Sequence, residues 1–297
     1  MSSVLEYDIK LLNSTVVCRP SKKNKSPYLL DINIKNNKIE MCHTPGLGLS
    51  GLIKPNTKIK VLPLSCDNKK RCSKYTIEKV LIVEKEIKSG KTWLGANPIR
   101  ANTIFYNTIK KKLFKKLTDV EITNQEYTIL DSRIDFKGKD LKGNNVFIEV
   151  KNVVVADYHV STAPKDRKIF YSTIKKNKYK RVGVFPDGQS KPGSSLVSPR
   201  AFKHLLTLEK LSKKKNTRSI LIFVLQRSDC NGFLPNYIKD PIYSNKLYDI
   251  YNNSKVEIYI LSYKWIKDKL YFHKELKLIE KNNFYKYGKI KNNLKNK

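Results

Sequence analysis

Cysteine is scarce in this chain and badly spaced for metal work. The five that occur (Cys18, Cys42, Cys66, Cys72 and Cys230) form no CxxC pair, and only four histidines accompany them. No candidate spacing for a structural zinc site results. An odd number of cysteines also argues for free thiols in a reducing compartment rather than for a disulfide framework. Long hydrophobic runs are missing as well. The longest, Ile220 to Leu225, is far short of the roughly 20 apolar residues that a membrane helix needs. The opening residues Met1-Ser2-Ser3-Val4-Leu5-Glu6-Tyr7-Asp8 show no charged-then-apolar leader. The expectation is a soluble, intracellular, cytoplasmic protein with no membrane partner. Acidic residues are few: 26 Asp and Glu stand against 60 Lys and Arg, a formal charge of +34 over 297 residues. An ordinary near-neutral metabolic enzyme is not the default reading of such a chain. Among the cations arginine is the rare one, nine against 51 lysines.

Hydrophobic residues make up 40% of the sequence, enough to bury a real core and to exclude wholesale disorder. Runs such as Lys35-Asn36-Asn37-Lys38 are what an AT-rich coding sequence supplies, so part of the charge has that origin. The field remains whatever its origin. It attracts polyanions and gives a salt-dependent affinity for phosphate backbones, which makes nucleic acid the first partner to consider.

Residues 1 to about 86 alternate in short stretches (Tyr28–Ile34, Thr57–Leu64, Thr76–Val83) separated by turn-formers, the pattern of a small all-β barrel. Beyond Trp93 the pattern changes. Phe105, Ile109, Leu113 and Leu117 recur every four residues and predict a helix over 99–117 with one buried face. Two strands, 127–136 and 146–156, follow, joined through Lys139–Asn144. A helix opens at Ser198-Pro199 and runs to Leu211, with serine at the cap and proline in the first turn. Strands over 220–226 and 255–261 flank a helix over 243–252. This order implies a mixed sheet flanked by helices. The expected organisation is a barrel over 1–88, an α/β domain over 89–270 and a basic tail over 271–297. Residues 157–183 read as an insertion.

Two motifs fail on context. Gly46-Leu47-Gly48-Leu49-Ser50-Gly51 satisfies GxGxxG, but Pro55 forbids the helix that a dinucleotide fingerprint requires. Ser89-Gly90-Lys91-Thr92 imitates the end of a phosphate loop, but Lys85 stands where the first glycine belongs.

The informative constellation is Ser132-Arg133-Ile134-Asp135-Phe136 followed by Phe147-Ile148-Glu149-Val150-Lys151. A hairpin centred near Lys142 sets Asp135 opposite Glu149, and the period of two puts Lys151 on the same face. Facing carboxylates repel unless something positive lies between them. A hard divalent cation such as Mg²⁺ (or Mn²⁺) does that, taking carboxylate oxygens, waters and substrate phosphate. Lys151 is then placed to orient the water or to stabilise a phosphoryl transition state.

Further segments occur in a fixed order: Phe185-Pro186-Asp187, Arg200-Ala201-Phe202-Lys203-His204-Leu205, Gln226-Arg227-Ser228-Asp229, Phe233-Leu234-Pro235 and Asp240-Pro241-Ile242-Tyr243. With Ser-Arg-Ile-Asp-Phe and Glu-Val-Lys, the set resembles the sugar fermentation stimulation protein (SfsA) family from about Tyr28 to Leu261. The resemblance implies an N-terminal OB-like barrel, a C-terminal domain of the restriction-endonuclease (PD-(D/E)XK) type, and DNA as ligand. On that analogy Asp135 and Glu149 are metal ligands, Lys151 is the catalytic lysine, and Glu126 is a further supporting acid. Departures occur as well. Cys42-His43-Thr44-Pro45-Gly46-Leu47 stands where the family carries Pro-Asn-Thr-Gly, and residues 157–183 and 193–199 lengthen two links.

Steps of about 100° per residue place Arg200, Lys203, His204 and Thr207 on one side of their helix, a cationic face available to phosphates. Arg71, Arg133, Arg200 and Arg227 all fall inside motif segments, and a planar guanidinium grips paired oxygens as lysine cannot. The functional expectation is a Mg²⁺-dependent nuclease acting on single- or double-stranded DNA. The alternative is a DNA-binding regulator that uses a nuclease-like fold without cutting. RNA processing or a phosphate-rich metabolite is a third class.

Overall fold

The computed structural model describes residues 2–46, 49–64, 73–84, 89–158, 181–187, 193, 195–237 and 239–279. Arg71, most of the 157–183 insertion and the end of the basic tail lie outside them. The chain separates into two compact units. One holds Met1–Thr108, Gln226–Ser228 and Tyr263–His273; the other holds Ile109–Leu225, Asp229–Ser262 and Lys274–Lys297. The first unit thus draws on three stretches of chain, where the sequence reading ends a first domain at 88.

In the first unit, strands β1 (Ser3–Leu5), β2 (Leu12–Cys18), β3 (Leu29–Asn33), β4 (Ile39–His43), β5 (Lys58–Pro63), β6 (Tyr75–Val83) and β7 (Lys91–Gly95) precede helix α1 (Arg100–Lys110). Six of them form a sheet in the order β4-β3-β2-β5-β6-β7. A parallel pairing of β4 with β6, Cys42 opposite Tyr75, brings the order back on itself, so five strands make a closed ring and β7 stands outside it. Leu30, Ile32, Ile59, Val61, Ile77 and Val80 are the alternating apolar positions that fill it. Two charges on β6 are buried with them, each with a partner: Arg100 donates two hydrogen bonds to Glu78, and Lys79 reaches Asp268 at 2.9 Å. The predicted helix over 99–117 stops seven residues early. The backbone turns left-handed at Lys112 (φ 52°), and a separate 3₁₀ turn, Lys115–Leu117, buries Leu117.

The second unit carries β8 (Val120–Ile129), β9 (Ser132–Asp140), β10 (Asn145–Val153), β11 (Ala156–Tyr158), β12 (Arg181–Phe185), helix α2 (Pro199–Ser212), β13 (Thr217–Leu225), β14 (Gly232–Pro235), helix α3 (Pro241–Asn253) and the start of β15 (Glu257–Ile266), whereas the end of β15 and most of β16 (Lys269–Leu276) count with the first unit. The stretch 127–136, expected to be one strand, holds a turn at Leu130-Asp131, with Leu130 left-handed at φ 53°. β8, β9 and β10 make an antiparallel meander. β13 runs parallel to both β10 and β15, giving β15-β13-β10-β9-β8, beside a small sheet β11-β12-β14. Parallel neighbours on both edges explain why Ile220 to Leu225 is a continuous apolar run: all six side chains are fully buried. Leu221, Phe223 and Leu225 pack with Ala201, Leu205 and Leu208 of α2 and with Tyr243, Leu247 and Ile250 of α3. Each such burial contributes about 1.5–3 kcal/mol. The start of the expected basic tail is ordered as β16, and residues 280–297 lie outside the described set. Among the described residues no helix is long and apolar enough to cross a membrane.

Candidate active site

The β9–β10 hairpin has the register that the sequence suggests. Asn145 faces Lys139 and Ile148 faces Phe136, and there the ladder ends. Asp135 and Glu149 occupy the next opposed positions. The backbone N–H of Val150, which has lost its place in the β9 ladder, donates instead to Asp135 Oδ2 at 2.7 Å. On the other side of β9, Gln125 faces Phe136 and Tyr127 faces Ile134, so Glu126 stands across from Asp135. The meander therefore brings three acidic positions, 126, 135 and 149, into one row across three strands.

Asp140 pins the turn that sets this register. Its Oδ1 accepts from the N–H groups of Lys142 and Asn144 at 3.0 and 2.9 Å, and its Oδ2 accepts from Asn144 Nδ2 at 2.9 Å. These bonds outweigh burial and hold its pKa below the ordinary value of 3.8. Asp140→Ala is expected to cost about 1–3 kcal/mol, the range for stranding buried donors. The sign with pH follows from a folded pKa below the unfolded one. The contribution is present above the ordinary aspartate range and is lost as the pH falls below it through the lower folded pKa. Urea unfolding of wild type and Asp140→Asn should therefore converge on acidification; a gap that widens in acid contradicts this account.

Glu149 is 2% exposed. Its Oε1 accepts from Lys151 Nζ at 2.5 Å and from His204 Nδ1, and Lys151 Nζ lies 3.3 Å from the same ring nitrogen. Burial pushes the Glu149 pKa up, but the His204 hydrogen bond and the Lys151 charge outweigh it and leave the group below the ordinary glutamate value. The carboxylate is ionised at neutral pH. Its second oxygen, Oε2, is buried with no hydrogen-bond partner among the described residues. A bare carboxylate oxygen is expensive to bury, and a missing ion or water is one physical explanation. The hydroxyl of Tyr243, also fully buried and without a partner among the described residues, belongs to the same neighbourhood. Burial, then the Glu149 and Asp240 charges, push its pKa well above 10.0. Asp240 fixes that tyrosine by capping α3, accepting from Tyr243 N at 2.9 Å. The sequence reading gave Tyr243 no role; its only signal there was the Asp-Pro-Ile-Tyr segment.

These donors suit a hard cation: an ionised carboxylate with one open oxygen, and a second carboxylate on the neighbouring strand. Mg²⁺ is ordinarily held by one or two carboxylates plus water and phosphate. No cluster of three or more His, Cys, Asp or Glu side chains placed for a metal occurs among the described residues. Glu126 does not complete one. Its side chain is 65% exposed and pairs at 3.5 Å with Arg133, and its backbone is left-handed at φ 53°.

The remaining expected residues are sorted by burial. Arg133, Arg200 and Lys203 are exposed, and Lys203 pairs with Asp131 at 3.1 Å. His204 is not on that cationic face. It is 3% exposed and turned to Glu149, and Thr207 turns inward with it to bond Ser132 at 2.8 Å. Arg227 is 1% exposed, so its guanidinium is not presented to a polyanion. Arg71 lies outside the described residues.

A family model described as "Sugar fermentation stimulation protein RE domain" matches residues 99–269. The chain belongs to that family. A sugar fermentation stimulation protein homolog of Trichodesmium erythraeum is 27% identical over 229 residues, covering 76% of each chain. One from Prochlorococcus marinus (strain MIT 9515) is 29% identical over 236 residues, 76% of this chain and 80% of the relative. The solved structure of Pyrococcus furiosus SfsA, in complex with Ca²⁺, superposes with a TM-score of 0.69 at 18% identity. It covers 94% of this chain and 100% of that one. The family member described here therefore has the mixed α/β fold of SfsA.

Proposed function

We propose that this SfsA family member is a divalent-metal-dependent deoxyribonuclease whose second unit has the PD-(D/E)XK arrangement. The observation that carries the reading is the Glu149 carboxylate: buried, ionised, one oxygen held by Lys151 and His204, the other open. Glu149 and Asp135 are the residues that would hold Mg²⁺ or Mn²⁺, and a Pyrococcus protein of the same fold has been solved in complex with a divalent cation, Ca²⁺. Such a cation neutralises phosphoryl charge and lowers the pKa of a bound water. The chain's own residues do the rest. Lys151 keeps Glu149 ionised and holds an ammonium group at its Oε1, a charge that would meet a scissile phosphate at this site. Arg200, one turn before His204, and Lys203, its neighbour, lie on the exposed side of α2 and supply phosphate contacts, with Arg133 on β9. The five-strand ring of the first unit reads as an OB-like barrel, a fold suited to single strands.

One observation favours a second reading, DNA binding without cleavage. Asp135 Oδ2 already accepts the Val150 N–H and Glu126 is turned to Arg133, so the row of acids is only partly available. Incubation of the full chain with linear duplex and single-stranded DNA, in Mg²⁺, Mn²⁺ or EDTA, separates the two. Cutting with either metal and none in EDTA is the expected result. Intact DNA under every metal, with binding that weakens steeply as salt rises, leaves the binding reading in place.

A further inference from the structure

We propose that His204 is a positioning residue: by donating to Glu149 Oε1 it fixes the carboxylate so that Oε2 is the oxygen presented to a divalent cation. The inference rests on the metal reading of Glu149 and adds a residue to it. A carboxylate oxygen only accepts, so the ring nitrogen facing it must be Nδ1–H. Lys151 donates to the same oxygen, so both donors saturate one side of the carboxylate and leave the other bare. Either donor alone would allow the group to rotate about its last bond. Two donors from different elements, a strand and a helix, hold its plane. The helix itself is tied down at both flanks of His204. Lys203 pairs with Asp131 in the β8–β9 turn, and Thr207 bonds Ser132 at the start of β9. Groups that orient a metal-binding side chain from behind characteristically change metal affinity about 10–100-fold when removed.

The test uses geometry within one residue. Asparagine places its side-chain N–H₂ where histidine has Nδ1, whereas glutamine places it nearer Nε2. Mn²⁺ binding to the full chain, read by the electron paramagnetic resonance signal of free Mn²⁺ and by calorimetry, needs no DNA and no turnover. His204→Gln is expected to weaken Mn²⁺ binding about 10–100-fold, and His204→Asn to restore it to within about threefold of wild type. Thr207→Val, which loosens the same helix without touching Glu149, is expected to lower the melting temperature and leave Mn²⁺ affinity unchanged. His204→Gln binding Mn²⁺ like wild type, or His204→Asn binding no better than His204→Gln, overturns the role of His204. Thr207→Val weakening Mn²⁺ as much as His204→Gln overturns it too, since helix stability would then be the cause. Glu149→Gln separates the underlying premise. If that variant binds Mn²⁺ as wild type does, the metal reading fails and takes this inference with it. If it loses Mn²⁺ while His204→Gln does not, only the positioning role falls.

Discussion

Lys151→Met is expected to slow metal-dependent DNA cleavage by about 10²–10³-fold while leaving DNA affinity within about twofold. Methionine keeps most of the lysine's stem, so packing changes little and the lost quantity is the ammonium charge. Two effects of that loss act in the same direction. On the nuclease reading a positive group beside the scissile phosphate is removed, and a preorganised charge in a partly dry site is worth about 3–4 kcal/mol of transition-state stabilisation. Glu149 also keeps only His204 as a donor, so its carboxylate is less well held and its ionised form less favoured. DNA affinity should survive because the expected phosphate contacts, Arg200 and Lys203, are exposed on α2, whereas Glu149 is buried. Single-turnover rates with duplex DNA, beside anisotropy titrations in Ca²⁺, distinguish the two quantities. A variant that cuts at the wild-type rate removes Lys151 from the chemistry. One that loses cutting and binding together assigns it to substrate contact instead.

The register of the acids was readable from the amino acids because a hairpin has few degrees of freedom. Once the turn falls at Lys139–Asn144, the side-chain period of two determines which residues oppose each other, and Asp140 locks that turn. The buried run of β13 was readable for a related reason, since a strand with parallel neighbours on both sides has no wet face. What failed was the assignment of faces on α2. A helical wheel separates residues by type, and His204 and Thr207 were grouped with Arg200 and Lys203 as polar. Both are buried, because partners on other elements, Glu149 and Ser132, satisfy them. Tertiary hydrogen bonds decide where such residues go, and no local pattern carries them. Arg227 misled in the same way. Its presence in a motif segment marked it as special, and burial rather than phosphate is what the structure attaches to it. The β8–β9 turn was missed because it uses Leu130 in a left-handed conformation without the glycine or asparagine that usually advertises one. Glu126 likewise gave no sign of the left-handed backbone that lets its carboxylate swing to Arg133.

Gly138→Ala is expected to destabilise the second unit by about 3 kcal/mol or more, the upper end of what overpacking costs. A Cβ built on Gly138 would lie 2.2 Å from the carbonyl oxygen of Glu121 and 3.0 Å from its carbon, both backbone atoms of β8. A side chain could rotate away; a backbone carbonyl in a paired strand cannot. The strands approach this closely beside an irregularity in their pairing, between Ile122 and Asn124, where β8 bulges against β9. Gly143 supplies the comparison. It has open space around its missing Cβ but a φ of +81°, so alanine there pays only the left-handed backbone penalty, about 1 kcal/mol. Urea denaturation of the two variants should rank them clearly, with Gly138→Ala much the weaker. Equal midpoints would mean that β8 shifts freely and that its register against β9 is not fixed. The consequence reaches the site. Glu126 stands across from Asp135 only in that register, so a displaced β8 would separate the first acid of the row from the other two. Gly143→Ala would leave the row intact, and if the Glu126 position matters to metal or DNA, only Gly138→Ala should change it at temperatures where both proteins remain folded.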